Sequence, residues 1–152
     1  MIIIEDSETD LDITPYLSFD GTCEQAFQTY ASLMGGEVLS IDYYDGGVLK
    51  DLSTTGKPRV LAARLRLGSN IIMGSDAMHS SDYMPPQGVR LQAGIRDSYE
   101  ARRVLDRLSQ GGEIEMPFRR TFWAAGFGMC RDRFGISWMI NCVQENEDQA
   151  VA

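Results

Sequence analysis

Two glycine pairs constrain this 152-residue chain more than any other feature. Gly35-Gly36-Glu37-Val38 and Gly111-Gly112-Glu113-Ile114 each follow an amphipathic stretch and open an apolar one. A glycine pair at such a junction stops a helix, because glycine takes the left-handed conformation that closes one. Upstream of the first pair, Cys23, Ala26, Phe27, Tyr30, Ala31 and Met34 recur at helical spacing. Upstream of the second, Ala101, Val104, Leu105 and Leu108 do the same. Thr22 with Gln25 reads as a capping box, and Ser98 as an N-cap with Glu100 in the first turn. Thr22 to Gly35 and Ser98 to Gly111 both span 13 residues, although the apolar positions inside the helices align only with a slip of about two residues.

Strand signals surround both helices. Apolar runs bounded by Gly, Pro, Asp and Ser lie at 13–19, 37–44, 59–67 and 70–75, and again at 89–95, 113–119, 122–129 and 136–143. The order β-α-β-β-β therefore occurs twice. The expectation is an α+β chain, residues 1–152 in one domain, with modules over 12–76 and 87–143. A linker over 77–86 carries Pro85-Pro86 and the only histidine, His79.

Charge and cysteine usage exclude some functions. A formal net charge of −8 opposes nonspecific nucleic-acid binding, which depends on neutralising phosphates. Part of that charge sits in acidic stretches at both ends, read as solvated tails. No apolar run approaches the roughly 20 residues of a membrane helix, and the first residues lack the basic region of a signal peptide. Cys23, Cys130 and Cys142 are odd in number and form no CxxC pair, so a reducing, cytoplasmic setting is expected.

The run TFWAAGFGMCRDRFGISWMIN, residues 121–141, reads as an antiparallel hairpin with Gly135 in the turn. Gly126 and Gly128 mark a bulge or a tight sheet bend, with a ligand wall as the alternative. Asp132 and Arg133 read as turn charges exposed to water. Alternation along the last strand sets Met139 and Asn141 on one face, with Trp138 and Cys142 on the other, towards the helices.

Several motifs carry a resemblance. Pro15-Tyr16-Leu17-Ser18-Phe19, Ile72-Met73-Gly74-Ser75-Asp76, Thr121-Phe122-Trp123 with Phe127-Gly128, and Asp132-Arg133-Phe134-Gly135 with Trp138-Met139-Ile140-Asn141 resemble PhnB-like proteins. That branch of the vicinal oxygen chelate superfamily, which includes glyoxalase I and bleomycin-resistance proteins, is sometimes labelled 3-demethylubiquinone-9 3-methyltransferase-like. The match covers roughly 14–143. It implies two βαβββ modules forming a cupped mixed sheet and, by analogy with relatives of this length, a homodimer.

Metal-dependent members of that superfamily set His, Glu or Gln on four strands, because a divalent ion needs several converging N or O donors. Carried over, those positions fall on Thr14, near Ile72, on Val89, Arg90 or Leu91, and on Met139. Ala62 stands where many relatives have a histidine. No metal and no cofactor is implied by these residues. Both glycine pairs end helices, so neither forms the glycine-rich strand-to-helix turn that cradles a nucleoside cofactor. Cys23 and Cys142 read as buried packing residues, and no catalytic set assembles. What the fold leaves is an apolar, aromatic-lined cavity for a small aromatic or amphipathic ligand, with Tyr16, Met73, Ser75, Trp123, Phe127, Met139 and Asn141 as candidate lining. An atypical lyase or isomerase, a metal-dependent enzyme of the same superfamily and a ligand-free dimer module are the alternatives.

Overall fold

The computed structural model describes residues 10–45, 52–53 and 55–143. The acidic ends, Gly46-Gly47 and Thr54 lie outside the described residues. The elements are β1 (Tyr16–Phe19), α1 (Cys23–Met34), β2 (Gly36–Tyr43), β3 (Val60–Leu67), β4 (Asn70–Asp76), β5 (Leu91–Gly94), α2 (Ser98–Leu108), β6 (Glu113–Arg119), β7 (Ala124–Arg131) and β8 (Ser137–Val143). A short 3-10 turn at Ser80–Asp82 interrupts the linker. No helix among the described residues is long and apolar enough to cross a membrane.

The strands form two four-stranded sheets of the same topology, β1-β4-β3-β2 and β5-β8-β7-β6. In each, the first strand pairs parallel with the last and the other pairings are antiparallel. This is the expected βαβββ order, twice. Each sheet has a helix on one face, and one core cluster joins the two halves, Phe19, Phe27 and Leu65 with Leu105, Trp138 and Ile140. Burying both helix stripes in one core is the main stabilising term available to such short modules.

The glycine pairs have a common cause. Gly35 and Gly111 take φ of 71° and 76°. A Cβ on Gly36 would lie 2.1 Å from the Arg66 carbonyl oxygen, and one on Gly112 2.1 Å from that of Arg131. The second glycine of each pair is thus required for the close approach of neighbouring strands. The helices themselves align as Ala26 with Ala101, Tyr30 with Leu105 and Leu33 with Leu108, all buried. The glycine pairs lie one residue further apart than this helix pairing, a difference taken up where α2 ends at Ser109 and a further turn, Gly112 N to Ser109 O, precedes β6.

Two of the expected caps differ. Thr22 makes no side-chain bond to its helix; the Cys23 amide instead donates to Asp76 Oδ1 at the end of β4, 2.9 Å away. A carboxylate 53 residues along the chain is a tertiary cap that no local pattern encodes. In the second helix Asp97, not Ser98, is the N-cap, accepting from the Glu100 amide. Gly126 and Gly128 face the helix side. A Cβ on Gly126 would meet the Phe118 ring at 2.1 Å, and one on Gly128 the Leu105 side chain at 2.6 Å. They make room for core side chains and do not wall a ligand, although a register shift beside Gly126 bears out the irregular strand.

Asp132 is the largest departure from the sequence reading. It is 4% exposed, not a solvated turn charge. Oδ1 accepts from the backbone amides of Phe134 and Ile136, each at 2.9 Å, and Oδ2 accepts from Trp138 Nε1 at 2.9 Å and from the Tyr30 hydroxyl. Four donors compensate the burial of this carboxyl group. Arg133, its neighbour, is exposed as expected.

Candidate functional site

The seven candidate residues separate into two groups. On the first sheet, Tyr16 pairs with Met73 and Ser18 with Ser75 across β1 and β4. Leu17, Phe19, Ile72 and Gly74 turn towards α1, so Tyr16, Met73 and Ser75 share the opposite, open face. On the second sheet, Trp138, Ile140 and Cys142 enter the core, which leaves Met139 and Asn141 on its open face. Phe127 lies directly across from Asn141, and Met129 across from Met139. The structure does not gather all seven on one surface.

The second group is the more built. Phe127 is 6% exposed yet stands apart from the main core cluster. Its cover comes from the loop before β7. Trp123 packs edge-on against Phe127 with ring centroids 5.5 Å apart, and Phe122 against Trp123 at 4.8 Å. Phe122 is 90% exposed and Trp123 43%, so the three rings run from solvent to the sheet face. Aromatic edges of this kind pack favourably and shield what lies beneath. Beside them, Asn141 Oδ1 is inaccessible to solvent and makes no hydrogen bond among the described residues. A buried acceptor without a donor costs about 1–3 kcal/mol, so it requires a reason.

Two of the positions that would carry metal ligands also shift, from Ile72 to Met73 and from 89–91 to Gln92. Met139 is flanked on β5 by Gln92, not by Val89, Arg90 or Leu91, which places an amide where the sequence offered none. Its counterpart on the first sheet is Met73, paired with Tyr16, because Ile72 is buried on the helix side. Thr14 precedes the first strand. A one-residue error in register moves a side chain to the other face of a strand, and the four-residue β5 gave too little alternation to fix it. The four side chains are a phenol, two thioethers and an amide. Among the described residues, no group of three or more His, Cys, Asp and Glu could hold an ion. His79 sits part-buried in the linker, just before the 3-10 turn.

A concavity of about 1010 Å³ lies elsewhere. It follows the seam between the modules, from Ile13 and Met73 to Gln92, Ala93 and Trp138, and Met73 is the only one of the seven candidates that lines it. The segment leading into the edge strand β1 and the edge strand β5 border it, with Ile13 87% exposed beside it.

Buried thiols complete the inventory. Burial, with Asp76 and Glu24 adding to it, pushes the Cys23 thiol far up. Burial, with Asp132 and Glu115 reinforcing it, pushes Cys130 up to about 12. Cys142 Sγ donates to the Arg96 carbonyl at 3.2 Å. Neither Cys23 nor Cys130 is a nucleophile near neutral pH.

Residues 11–141 match the family model described as 3-demethylubiquinone-9 3-methyltransferase. The protein YjdN of Escherichia coli K12 is 34% identical over 146 residues, covering 90% of this chain and 99% of YjdN. The crystal structure of PA1353 from Pseudomonas aeruginosa superposes with a TM-score of 0.76 at 36% identity, over 90% of this chain and all of that one. A putative 3-demethylubiquinone-9 3-methyltransferase, PhnB protein, from Bacillus cereus gives a TM-score of 0.77 at 26% identity, over 88% and 100% of the two chains. The glyoxalase-like fold is shared more widely, with a Frankia glyoxylase/bleomycin resistance protein/dioxygenase domain and a Listeria fosfomycin resistance protein at TM-scores of 0.58 and 0.59 and 12% identity.

Proposed function

The chain belongs to the PhnB-like family described as 3-demethylubiquinone-9 3-methyltransferase, and from that premise we propose that it binds a small amphipathic aromatic compound without a metal or nucleoside cofactor. The observation that carries this reading is the buried, unpartnered Asn141 Oδ1 beside the Phe122–Trp123–Phe127 rings. An apolar wall with one fixed acceptor suits a ligand with an aromatic body and an N–H or O–H group. Phenols, indoles and arylamines have that form.

The absence of a metal step in this reading rests on donor chemistry. Of Tyr16, Met73, Gln92 and Met139, only Gln92 offers a donor of the kind metal-dependent relatives use, and a divalent ion needs several such donors. The methyltransferase description finds no support in the glycine pairs either, since Gly35-Gly36 closes α1 and Gly111-Gly112 follows α2, and neither forms a strand-to-helix turn for a nucleoside cofactor.

The remaining parts of the reading concern assembly and setting. We place the two modules in one domain and the protein in the cytoplasm, where three buried thiols outside any disulfide persist reduced. A two-fold homodimer is supported by the free edges of β1 and β5 and the exposed Ile13 at the seam, an arrangement a second copy would cover. A thermal-shift screen of phenols, indoles and arylamines against their donor-free analogues tests the ligand. The proposal expects stabilisation by members with a donor only, and stabilisation by neither series contradicts it.

A further inference from the structure

The outer surface between α1 and α2 holds a second, polar groove of about 430 Å³, remote from the aromatic face. Three guanidinium groups line it, Arg103, Arg107 and Arg133, together with Gln28, Thr29 and Ser32. No carboxylate belongs to the lining, in a chain whose formal net charge is −8. Like charges gathered in one concavity repel each other, so their convergence requires compensation.

Two of the three are held in place by the fold. Arg103 donates through Nη2 to the Leu33 carbonyl at the end of α1, 3.0 Å away, and through Nε to Glu100 at 3.1 Å. That pairing neutralises part of its charge. Arg133 lies over the Phe134 ring, 4.3 Å from its centroid. Its side chain passes where a Cβ on Gly111 would stand at 3.2 Å, so the glycine gives it room. Arg107 follows Arg103 by one helical turn and is exposed. In the last turn of α2 it complements the helix dipole, whose negative end, about half a charge, opposes an anion there. The guanidinium charges of Arg107 and Arg133 outweigh that term.

We propose that this groove binds a small multivalent oxyanion, a phosphate or the phosphate group of a small metabolite. Planar guanidinium groups match such oxygens in pairs, and the hydroxyls and amide of Thr29, Ser32 and Gln28 supply neutral hydrogen bonds around them. The site is separate from the aromatic face and does not depend on the ligand proposed there.

Calorimetric titration with inorganic phosphate, pyrophosphate and phenyl phosphate, at constant ionic strength, tests it. Saturable binding is expected, weakened roughly tenfold or more in the Arg107→Gln/Arg133→Gln variant, as loss of charge-assisted contacts implies. Arg102→Gln, on the same helix but stacked over Phe118 outside the groove, should leave binding unchanged. Tighter binding of phenyl phosphate than of the free ion assigns the site to phosphate esters, and the reverse to phosphate itself. No saturable binding of any of the three, or equal losses in the double variant and Arg102→Gln, would overturn the proposal. Both variants change exposed side chains, and an unchanged unfolding midpoint confirms that each is folded.

Discussion

The Tyr30 hydroxyl on α1 donates to Asp132 in the β7–β8 turn across 2.5 Å, linking the helix of one module to the hairpin of the other. The same carboxylate holds Trp138 Nε1, and the Tyr30 and Trp138 rings meet edge-on at 5.2 Å. Burial, reinforced by Asp132, holds the Tyr30 phenol well above its ordinary range, so it remains a donor at all working pH values. Removing Asp132 leaves four donors without their acceptor. Asp132→Ala should cost about 3 kcal/mol or more in urea denaturation, and Tyr30→Phe about 1–2. A loss at Asp132 within about 0.5 kcal/mol, the range of ordinary surface changes, would mean the hub carries no stability.

The two tryptophans should separate stability from binding. Trp138 is 2% exposed in the shared core, so Trp138→Ala is expected to cost about 3–5 kcal/mol. Trp123 packs on Phe127 outside the core cluster and is 43% exposed. Trp123→Ala should cost much less and should weaken ligand binding. Equal and large losses in chemical denaturation would make both rings architectural.

Gly126 offers a sharper packing test. Gly126→Ala drives a methyl into the Phe118 ring, which must rotate away from the sheet. The expected loss is about 1–3 kcal/mol. Denaturation unchanged by the substitution would show that Phe118 moves freely.

Most of the framework could be read from local pattern because it is a local matter. Period-two and helical spacing placed every strand and both helices, and the first glycine pair marked the end of α1, whereas α2 already ends at Ser109, two residues before Gly111. The missed features depend on distant partners. Asp76 caps α1 from the far end of a sheet, and Asp132 accepts from Tyr30, 102 residues away. One local signal did exist. Asp132 Oδ1 accepts from the amide two residues on, as aspartates in turns do, and a turn aspartate followed by Arg-Phe-Gly fits that pattern. The side-chain face of β5 was not legible, since four residues, Leu91–Gly94, carry too little alternation to identify Gln92.

Thiol titration gives a prediction in pH. Burial pushes the folded Cys130 thiol up to about 12, well above an ordinary thiol, and raises Cys23 further still. Groups raised in the folded state contribute stability that is complete below the unfolded value and lost above it. Stability should therefore hold to about pH 9 and fall towards pH 12. At pH 8 the folded protein should leave Cys23, Cys130 and Cys142 unreactive to a thiol reagent, with all three reacting in denaturant. Rapid labelling of the folded protein would contradict their burial.

The central claim is that the aromatic face of the second sheet, with Asn141 as its acceptor, binds the ligand. Ligand-observed NMR with a mixture of small phenols, indoles and arylamines, repeated on Asn141→Leu and Trp123→Ala, tests it most directly. The account predicts binders whose signals respond to the native protein and weaken roughly tenfold with Asn141→Leu, as loss of a buried hydrogen bond implies. Binders indifferent to both substitutions, or no binders at all, would contradict it.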